Sequence, residues 1–300
     1  RLKNVVVLAS IVSRKPVLSK CAQLFPSENK EISMNPSSAN DELFSVAGQV
    51  VVVSGGSRGI GRALVAEFLK RGATVIATGR DPDALAETER VTAVDDRSAT
   101  CLPCDVLDSN QIKETVQSTL DQHGRIDTLV NCAGVNRRMP TMDLTEEDYD
   151  YIVDINLKGA FHFSRIVGQQ MILQKAGCQI NIASLNTDRP LKNVLPYAAS
   201  KAAMGHMTRG LAMEWGEHGV RVNAIAPGFI LTDLTKKLWS DETMHQWGIA
   251  NTPQRRLGQP ADMAGTAIFL ASNASAFLTG QIIYVDGGFT AGFQWPIPSS

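Results

Sequence analysis

The sequence predicts an α/β fold built on one doubly wound parallel sheet with helices on both faces, in a single domain. Two observations carry that expectation. From Gln49 onward, short continuous apolar runs alternate with segments of helical periodicity, and a glycine-rich turn sits directly between the first such run and the first helical segment. Strands that are apolar on both faces and separated by helices need a parallel sheet covered on both sides. Val50–Val53, Thr74–Ala77, Asp127–Val130, Gln179–Ile182, Val220–Ile225 and Gln281–Val285 read as strands, and another ends just before Asp105. Gly61–Arg71, Gln111–His123, Glu146–Gln174, Ala198–Glu217 and Pro260–Ser272 carry the helical period.

Composition bounds the rest. Of 300 residues, 44% are apolar and 20% charged, with a formal net charge of -1, the balance of a globular chain with a large core. Without a basic block in this body there is no electrostatic footprint for nucleic acid, and without a long apolar stretch there is no membrane span, so a small molecule is the expected partner. Five scattered cysteines do not form a secreted disulfide framework, and a reducing, cytoplasmic setting is the default. Cys101 and Cys104 have CxxC spacing, but they close a strand rather than open a helix and have no second ligand pair, so neither redox chemistry nor a metal site is expected.

The first forty-odd residues differ from the body. Arg1–Pro26 contains five basic and no acidic residues and a short apolar run, Val5–Val12, too short to cross a bilayer. Residues 1–42 are expected to be a leader outside the folded domain: a disordered or targeting segment, which would move the chain to a mitochondrion or other organelle, or sequence upstream of a start at Met34. Residues 43–293 form the expected catalytic domain and residues 294–300 a tail.

The turn Ser54-Gly55-Gly56-Ser57-Arg58-Gly59-Ile60-Gly61 has a strand before it and a helix after it. Glycines there let backbone amides approach a phosphate, and the helix offers its positive end to the anion. Further on, Tyr197 and Lys201 stand four apart, on one face of a helix and one turn from each other. A cation so placed is expected to lower the phenol's pKa toward the range of a proton-transfer group. Ser184, thirteen positions before Tyr197, completes a set suited to carbonyl reduction or alcohol oxidation.

The glycine spacing resembles the TGxxxGxG turn of the short-chain dehydrogenases/reductases, with Ser54 for the threonine, and the other signatures of that family follow in order. They are Asp105, Asn131-Cys132-Ala133-Gly134 for NNAG, Asn156, Ser184, Tyr197 with Lys201, and Pro227-Gly228 with Thr232, together covering Leu43 to Gly292. The resemblance implies a Rossmann-like fold and a nicotinamide cofactor held by Ser54, Gly55, Ser57, Arg58, Gly59, Ile60, Gly61, Asn131, Ala133, Gly134, Tyr197, Lys201, Pro227, Gly228 and Thr232. It implies that Asp105 meets the adenine amine, with Val106 packing beside it. After the second strand, where an acidic residue would select NAD, the chain has Gly79-Arg80; Arg80 and Arg58 are expected to clamp a 2′-phosphate, which favours NADP(H). By resemblance Ser184 binds the substrate oxygen, Tyr197 donates its proton, Lys201 assists both phenol and ribose, and Asn156 anchors a water that links Lys201 to solvent. Cys132 in place of the motif's second asparagine has a structural part.

Several stretches, among them Gly134–Pro140, Thr252–Gly258 and Tyr284–Gly288, resemble gluconate 5-dehydrogenases, which implies interconversion of a sugar acid and its keto form. Arg137 and Arg138, at the carboxyl edge of the sheet, either pair with the substrate carboxylate alongside Ser184 and Tyr197 or are structural or contact a neighbouring subunit. Leu231–Gly248 is the expected substrate lid, and Trp295 and Pro296 are expected to cap a pocket of their own chain or of a neighbour. The rival readings are a 3-oxoacyl-[acyl-carrier-protein] reductase, a polyol or deoxysugar-acid dehydrogenase, and a non-catalytic NADPH-binding protein. The family resemblance also implies a homotetramer.

Overall fold

The computed structural model describes residues 42–293 and Trp295. The expected leader, Glu42 apart, and the expected tail, Trp295 apart, lie outside the described residues. One parallel sheet of seven strands organises the fold: β1 (Val50–Ser54), β2 (Thr74–Gly79), β3 (Thr100–Pro103), β4 (Thr128–Asn131), β5 (Gly177–Ile182), β6 (Val220–Pro227) and β7 (Ile282–Val285), in the order β3-β2-β1-β4-β5-β6-β7. The helices are α1 (Gly59–Lys70), α2 (Pro82–Thr92), α3 (Ser109–His123), α4 (Glu146–Val153), α5 (Ala160–Gln174), α6 (Leu195–Trp215), α7 (Lys236–Trp239), α8 (Glu242–Asn251) and α9 (Ala264–Ala271).

The unbroken valine run of β1 is explained by burial on both sides. Val51 and Val53 join a core with Leu64, Phe68 and α9, whereas Val50 and Val52 join a second core with Ile112, Phe163 and Trp215. Each wholly buried side chain of this size contributes about 1.5–3 kcal/mol. The same alternation settles the CxxC pair: Cys101 packs against the first core and Cys104 belongs to the second, so the two sulfurs sit on opposite faces of the sheet.

Several helices depart from the sequence-based expectation in existence, continuity or extent. Pro82–Thr92 was not expected as a helix, although Asp81 caps it by accepting from the amides of Asp83 and Ala84, and Pro82 opens it. The expected single helix Glu146–Gln174 is interrupted by a π-helical turn over Asp154–Gly159, with Asn156 inside it. Such a turn breaks the regular hydrogen-bond ladder and commonly marks a functional position. α6 begins at Leu195, three residues earlier than its periodicity suggested, with Pro196 in its first turn.

The strand order reverses between β1 and β4, whose last residues, Ser54 and Asn131, pair in register. In open α/β sheets that crevice, beyond the carboxyl ends of the strands, is where ligands bind.

Candidate functional site

At the end of β1 the chain makes a turn that only glycine permits. Gly55 has φ +73°, and a Cβ there would stand 2.5 Å from the Ala133 nitrogen; a Cβ on Gly61 would stand 2.1 Å from the Gly55 oxygen. The turn is therefore pressed directly against the loop after β4. The amides of Ser57, Arg58, Gly59 and Ile60 have no hydrogen-bond partner among the described residues. Four unmet donors at the N-terminus of a three-turn helix fit a pyrophosphate. The cradle thus suits the dinucleotide that the sequence leads one to expect, with Ser54 buried at its base.

The surrounding candidates divide. Arg80 is exposed and makes no ion pair among the described residues, whereas Arg58 pairs with Asp81 at 3.1 Å. The clamp expected from two arginines is therefore one unpaired cation and one shared with a carboxylate that the sequence reading missed. Asp105 accepts from the Leu107 amide through Oδ1 (3.0 Å), and Val106 is buried against Gly159. Asn131 is turned away from the crevice: its Nδ2 donates to Ser164 Oγ (2.8 Å) and Asn181 Oδ1 (2.9 Å), and Asn181 in turn donates to Thr208. The Asn131 side-chain amide nitrogen is thus tied into the layer between sheet and helices, while its Oδ1 is buried without a partner among the described residues. Across the crevice Pro227 ends β6, and a Cβ on Gly228 would stand 2.6 Å from Asp286 Cα. The loop that follows brings Thr232 close to the turn, where a Cβ on Gly59 would meet the Thr232 Cβ at 3.5 Å. Ala133 and Gly134 continue from β4, where a Cβ on Gly134 would meet Asn156 Oδ1 at 3.4 Å and Lys201 Nζ at 3.8 Å.

β5 and α6 bring together the groups expected to transfer the proton. Ser184 Oγ accepts from both the amide (3.1 Å) and the side-chain Nδ2 (3.3 Å) of Asn186, which leaves its own hydroxyl proton free to donate. Asn186, two residues downstream, is a positioning residue that the sequence reading missed; the short Ser-x-Asn spacing is the signal that local turn chemistry offered. Partial burial raises the Tyr197 pKa above its ordinary 10, while the Ser184 hydroxyl and the Arg138 guanidinium act to lower it. The sequence reading had assigned that lowering to Lys201 and had not assigned Arg138 a part in it. The Lys201 ammonium stands 5.7 Å from the centre of the tyrosine ring and donates to the Ile182 carbonyl at 2.7 Å. Its own pKa is pushed down to about 8 by burial. Burial likewise pushes the Cys132 thiol up to about 11, which keeps it protonated and inert. Asn156 accepts from the Val135 amide (2.8 Å) and donates to the Val135 carbonyl (3.0 Å) and Ser200 Oγ (3.2 Å), which locks the π turn to the loop after β4.

The two arginines after β4 part company. Arg137 forms an ion pair with Asp148, the residue that closes the capping box of α4, and lies 4.4 Å from the centre of the Tyr151 ring. Its guanidinium is thereby engaged in holding α4. Arg138 donates to the Leu234 carbonyl at 3.4 Å, and its charge acts on Tyr197. Arg138 thus stands between Tyr197 and the expected lid. That segment folds as α7 and most of α8, fastened by Phe229, whose ring centre lies 5.2 Å from Trp239, 5.6 Å from Trp247 and 4.7 Å from Phe289. Trp295 is exposed, and Pro296 lies outside the described residues. Among the described residues no cluster of three potential metal ligands occurs, and no helix is long and apolar enough to cross a membrane.

Comparison with known proteins agrees with this geometry. A family model described as enoyl-(acyl carrier protein) reductase matches residues 54–290. The gluconate 5-dehydrogenase of Gluconobacter oxydans is 34% identical over 252 residues, 84% of this chain and 98% of that protein. A 3-oxoacyl-[acyl-carrier-protein] reductase of Thermotoga maritima is 37% identical over 241 residues, 80% of this chain and 97% of that protein. Among solved structures, a gluconate 5-dehydrogenase from Burkholderia cenocepacia in complex with NADP and tartrate superposes with a TM-score of 0.80 at 33% identity, covering 84% of this chain and 98% of that one.

Proposed function

Because the chain belongs to the short-chain dehydrogenase/reductase family, we propose that it is an NADP(H)-dependent oxidoreductase interconverting a sugar acid, gluconate in the first instance, and its 5-keto form. One observation carries the substrate class: the phenol placed to donate a proton shares its surroundings with Arg138, a cation that no carboxylate of the described residues neutralises. Two relatives named for gluconate oxidation support it, one of them holding NADP and the hydroxy-dicarboxylate tartrate. The unmet amides of the β1–α1 turn would hold the pyrophosphate, and Arg80 with Arg58 the 2′-phosphate.

A bound nicotinamide supplies or accepts the two electrons and the hydrogen at carbon. The chain's residues manage the oxygen. In the reduction direction the Ser184 hydroxyl donates to the substrate carbonyl oxygen, and Tyr197 gives that oxygen its proton as negative charge gathers there. The raised pKa of Tyr197 keeps it protonated, which suits a proton donor. The cost falls on alcohol oxidation, where the phenol must first lose its proton. Lys201, charged below about pH 8, supplies a fixed positive charge on the same side of the site. Asn156, bonded to Ser200 beside Tyr197 and Lys201, keeps the π turn against the loop that carries Gly134. Arg138 orients the far carboxylate, and the loop that it touches at Leu234 shuts water out. A homotetramer and a folded catalytic domain confined to residues 43–293 belong to the same proposal.

The test is NADPH consumption with 5-keto-D-gluconate, an acetoacetyl thioester and an uncharged ketose, with NADH as the cofactor control. Turnover of the keto acid, absent in Tyr197→Phe while that variant still binds NADPH, is the expected result. Turnover of the thioester alone would move the chain to fatty-acid synthesis.

A further inference from the structure

The loop between Ser184 and α6 joins the serine hydroxyl to the apolar cluster on which the expected lid is seated. Ser184 Oγ has two lone pairs and both are taken, by the Asn186 amide at 3.1 Å and by Asn186 Nδ2 at 3.3 Å. A hydroxyl in that state can only donate, and Tyr197 is the neighbour on which it acts. Everything turns on which end of the Asn186 side chain faces the serine. With Oδ1 there instead of Nδ2, the side chain would take the serine proton for itself.

The Leu191 N–H holds that side chain the right way round, donating to Asn186 Oδ1 at 3.0 Å. Along Pro190–Asn193 no other backbone amide has a partner among the described residues. Asn186 is 7% exposed and Ser184 6%, so neither group is shared freely with solvent. The Leu191 side chain packs against the cluster of Leu185, Phe229, Trp239 and Leu257, which Leu238 of α7 and Met244 and Ile249 of α8 also join. A continuous path of contacts therefore runs from the expected lid through Leu191 and Asn186 to the Ser184 hydroxyl.

We propose that Asn186 couples the lid to proton transfer: α7 and α8, seated on that cluster, place the Leu191 amide, which fixes the Asn186 side chain, which commits the Ser184 hydroxyl to the substrate oxygen. Asn186 is a positioning residue that acts through Ser184. When Leu191 leaves the cluster, the Asn186 side chain is free to turn, and Ser184 becomes as ready to accept as to donate. The carbonyl oxygen then lacks one of its two donors until the lid is seated again. This proposal rests on the reading of the chain as a carbonyl reductase, but not on which ketone it takes.

The test is NADPH oxidation as a function of pH, with whichever of the keto acid, thioester and ketose wild type turns over fastest. Asn186→Asp keeps the size of the side chain and an oxygen for the Leu191 amide, but its second oxygen takes the Ser184 proton. At about pH 8 its kcat should fall about 100-fold, the scale of a lost oxyanion donor, with KM nearly unchanged. The deficit should shrink as pH falls toward about 5, because a protonated carboxyl in this buried place donates to Ser184 as the amide does. A double-mutant cycle reads the link to the lid: Leu191→Ala should lower kcat about fivefold with Asn186 present and less than about twofold in Asn186→Ala. NADP⁺ affinity, measured by calorimetry, should be unchanged in all three variants. An undiminished kcat in Asn186→Asp, a deficit constant with pH, additive effects in the cycle, or NADP⁺ affinity lost in step with kcat would each overturn the proposal while the reductase reading stands. Failure of wild type to turn over any of the three carbonyls would overturn that reading and the proposal with it.

Discussion

Replacing Lys201 with methionine should abolish turnover and, at neutral pH, make the folded chain more stable. Lys201 is 4% exposed, and its ammonium has one strong partner, the Ile182 carbonyl at 2.7 Å. Burial pushes its pKa from the ordinary 10.5 down to about 8. At about 1.36 kcal/mol per pH unit, holding the charge inside the fold costs about 3.4 kcal/mol wherever the lysine stays protonated. Methionine has a similar length and no charge, but it leaves the Ile182 carbonyl short of a donor, which returns about 1–2 kcal/mol of that gain. The net expectation at pH 7 is a stabilisation of about 1–2 kcal/mol.

The sign with pH follows from linkage. Below about 8 the lysine is charged in both folded and unfolded chains, so the penalty is present in full. Between about 8 and 10.5 the unfolded chain holds a proton that the folded chain has lost, and wild-type stability rises with pH. The advantage of Lys201→Met should therefore shrink by about 2 kcal/mol between about pH 7 and 9.5. Urea unfolding of both proteins without cofactor, at equal concentration and at the two pH values, measures this. A variant less stable than wild type at pH 7, or a difference that is the same at both pH values, would refute the assignment of Lys201 as a buried charge kept for function at the expense of stability.

Other substitutions separate the remaining assignments. Arg138→Gln should raise KM for 5-keto-D-gluconate by about 10- to 100-fold, the worth of a charge-assisted hydrogen bond, and leave an uncharged ketose nearly unaffected. Arg137→Gln should instead lower the melting temperature with little change in KM, because Arg137 is bound to Asp148 at the start of α4. Asp81→Asn keeps an oxygen for capping α2 but releases Arg58, so KM for NADPH should fall several-fold while that for NADH stays put; Arg80→Gln should move KM for NADPH the other way. Gly61→Ala places a Cβ 2.1 Å from the Gly55 oxygen and should cost NADP⁺ affinity by well over about 100-fold. Calorimetry would sink that reading if affinity persisted.

Much of the architecture was legible because local pattern and burial agree. A run such as Val50–Val53 has no polar face, so it can sit only in a sheet covered on both sides, and the helices that cover it repeat every three to four residues. The glycine-rich turn was legible because its steric demand is local: no other residue type fits Gly55 and Gly61. Less legible was α2, although Asp81 and Pro82 announced its start. The break at Asn156 was not legible at all. The periodicity runs on through Asp154–Gly159, and what opens the turn is a set of contacts to Val135 and Ser200, residues 21 and 44 positions away.

The sequence by itself determined the sheet, the glycine-rich turn and the chemical types gathered at the candidate site, since these depend on side-chain size, polarity and spacing along one element. Only the tertiary structure decided which arginine of an adjacent pair lies near the phenol, which asparagine serves the core, and that Arg58 shares its charge with Asp81. Electrostatic interactions depend on distance and burial across elements far apart in the chain, and two neighbours such as Arg137 and Arg138 look the same until the fold points one at Asp148 and the other toward Tyr197.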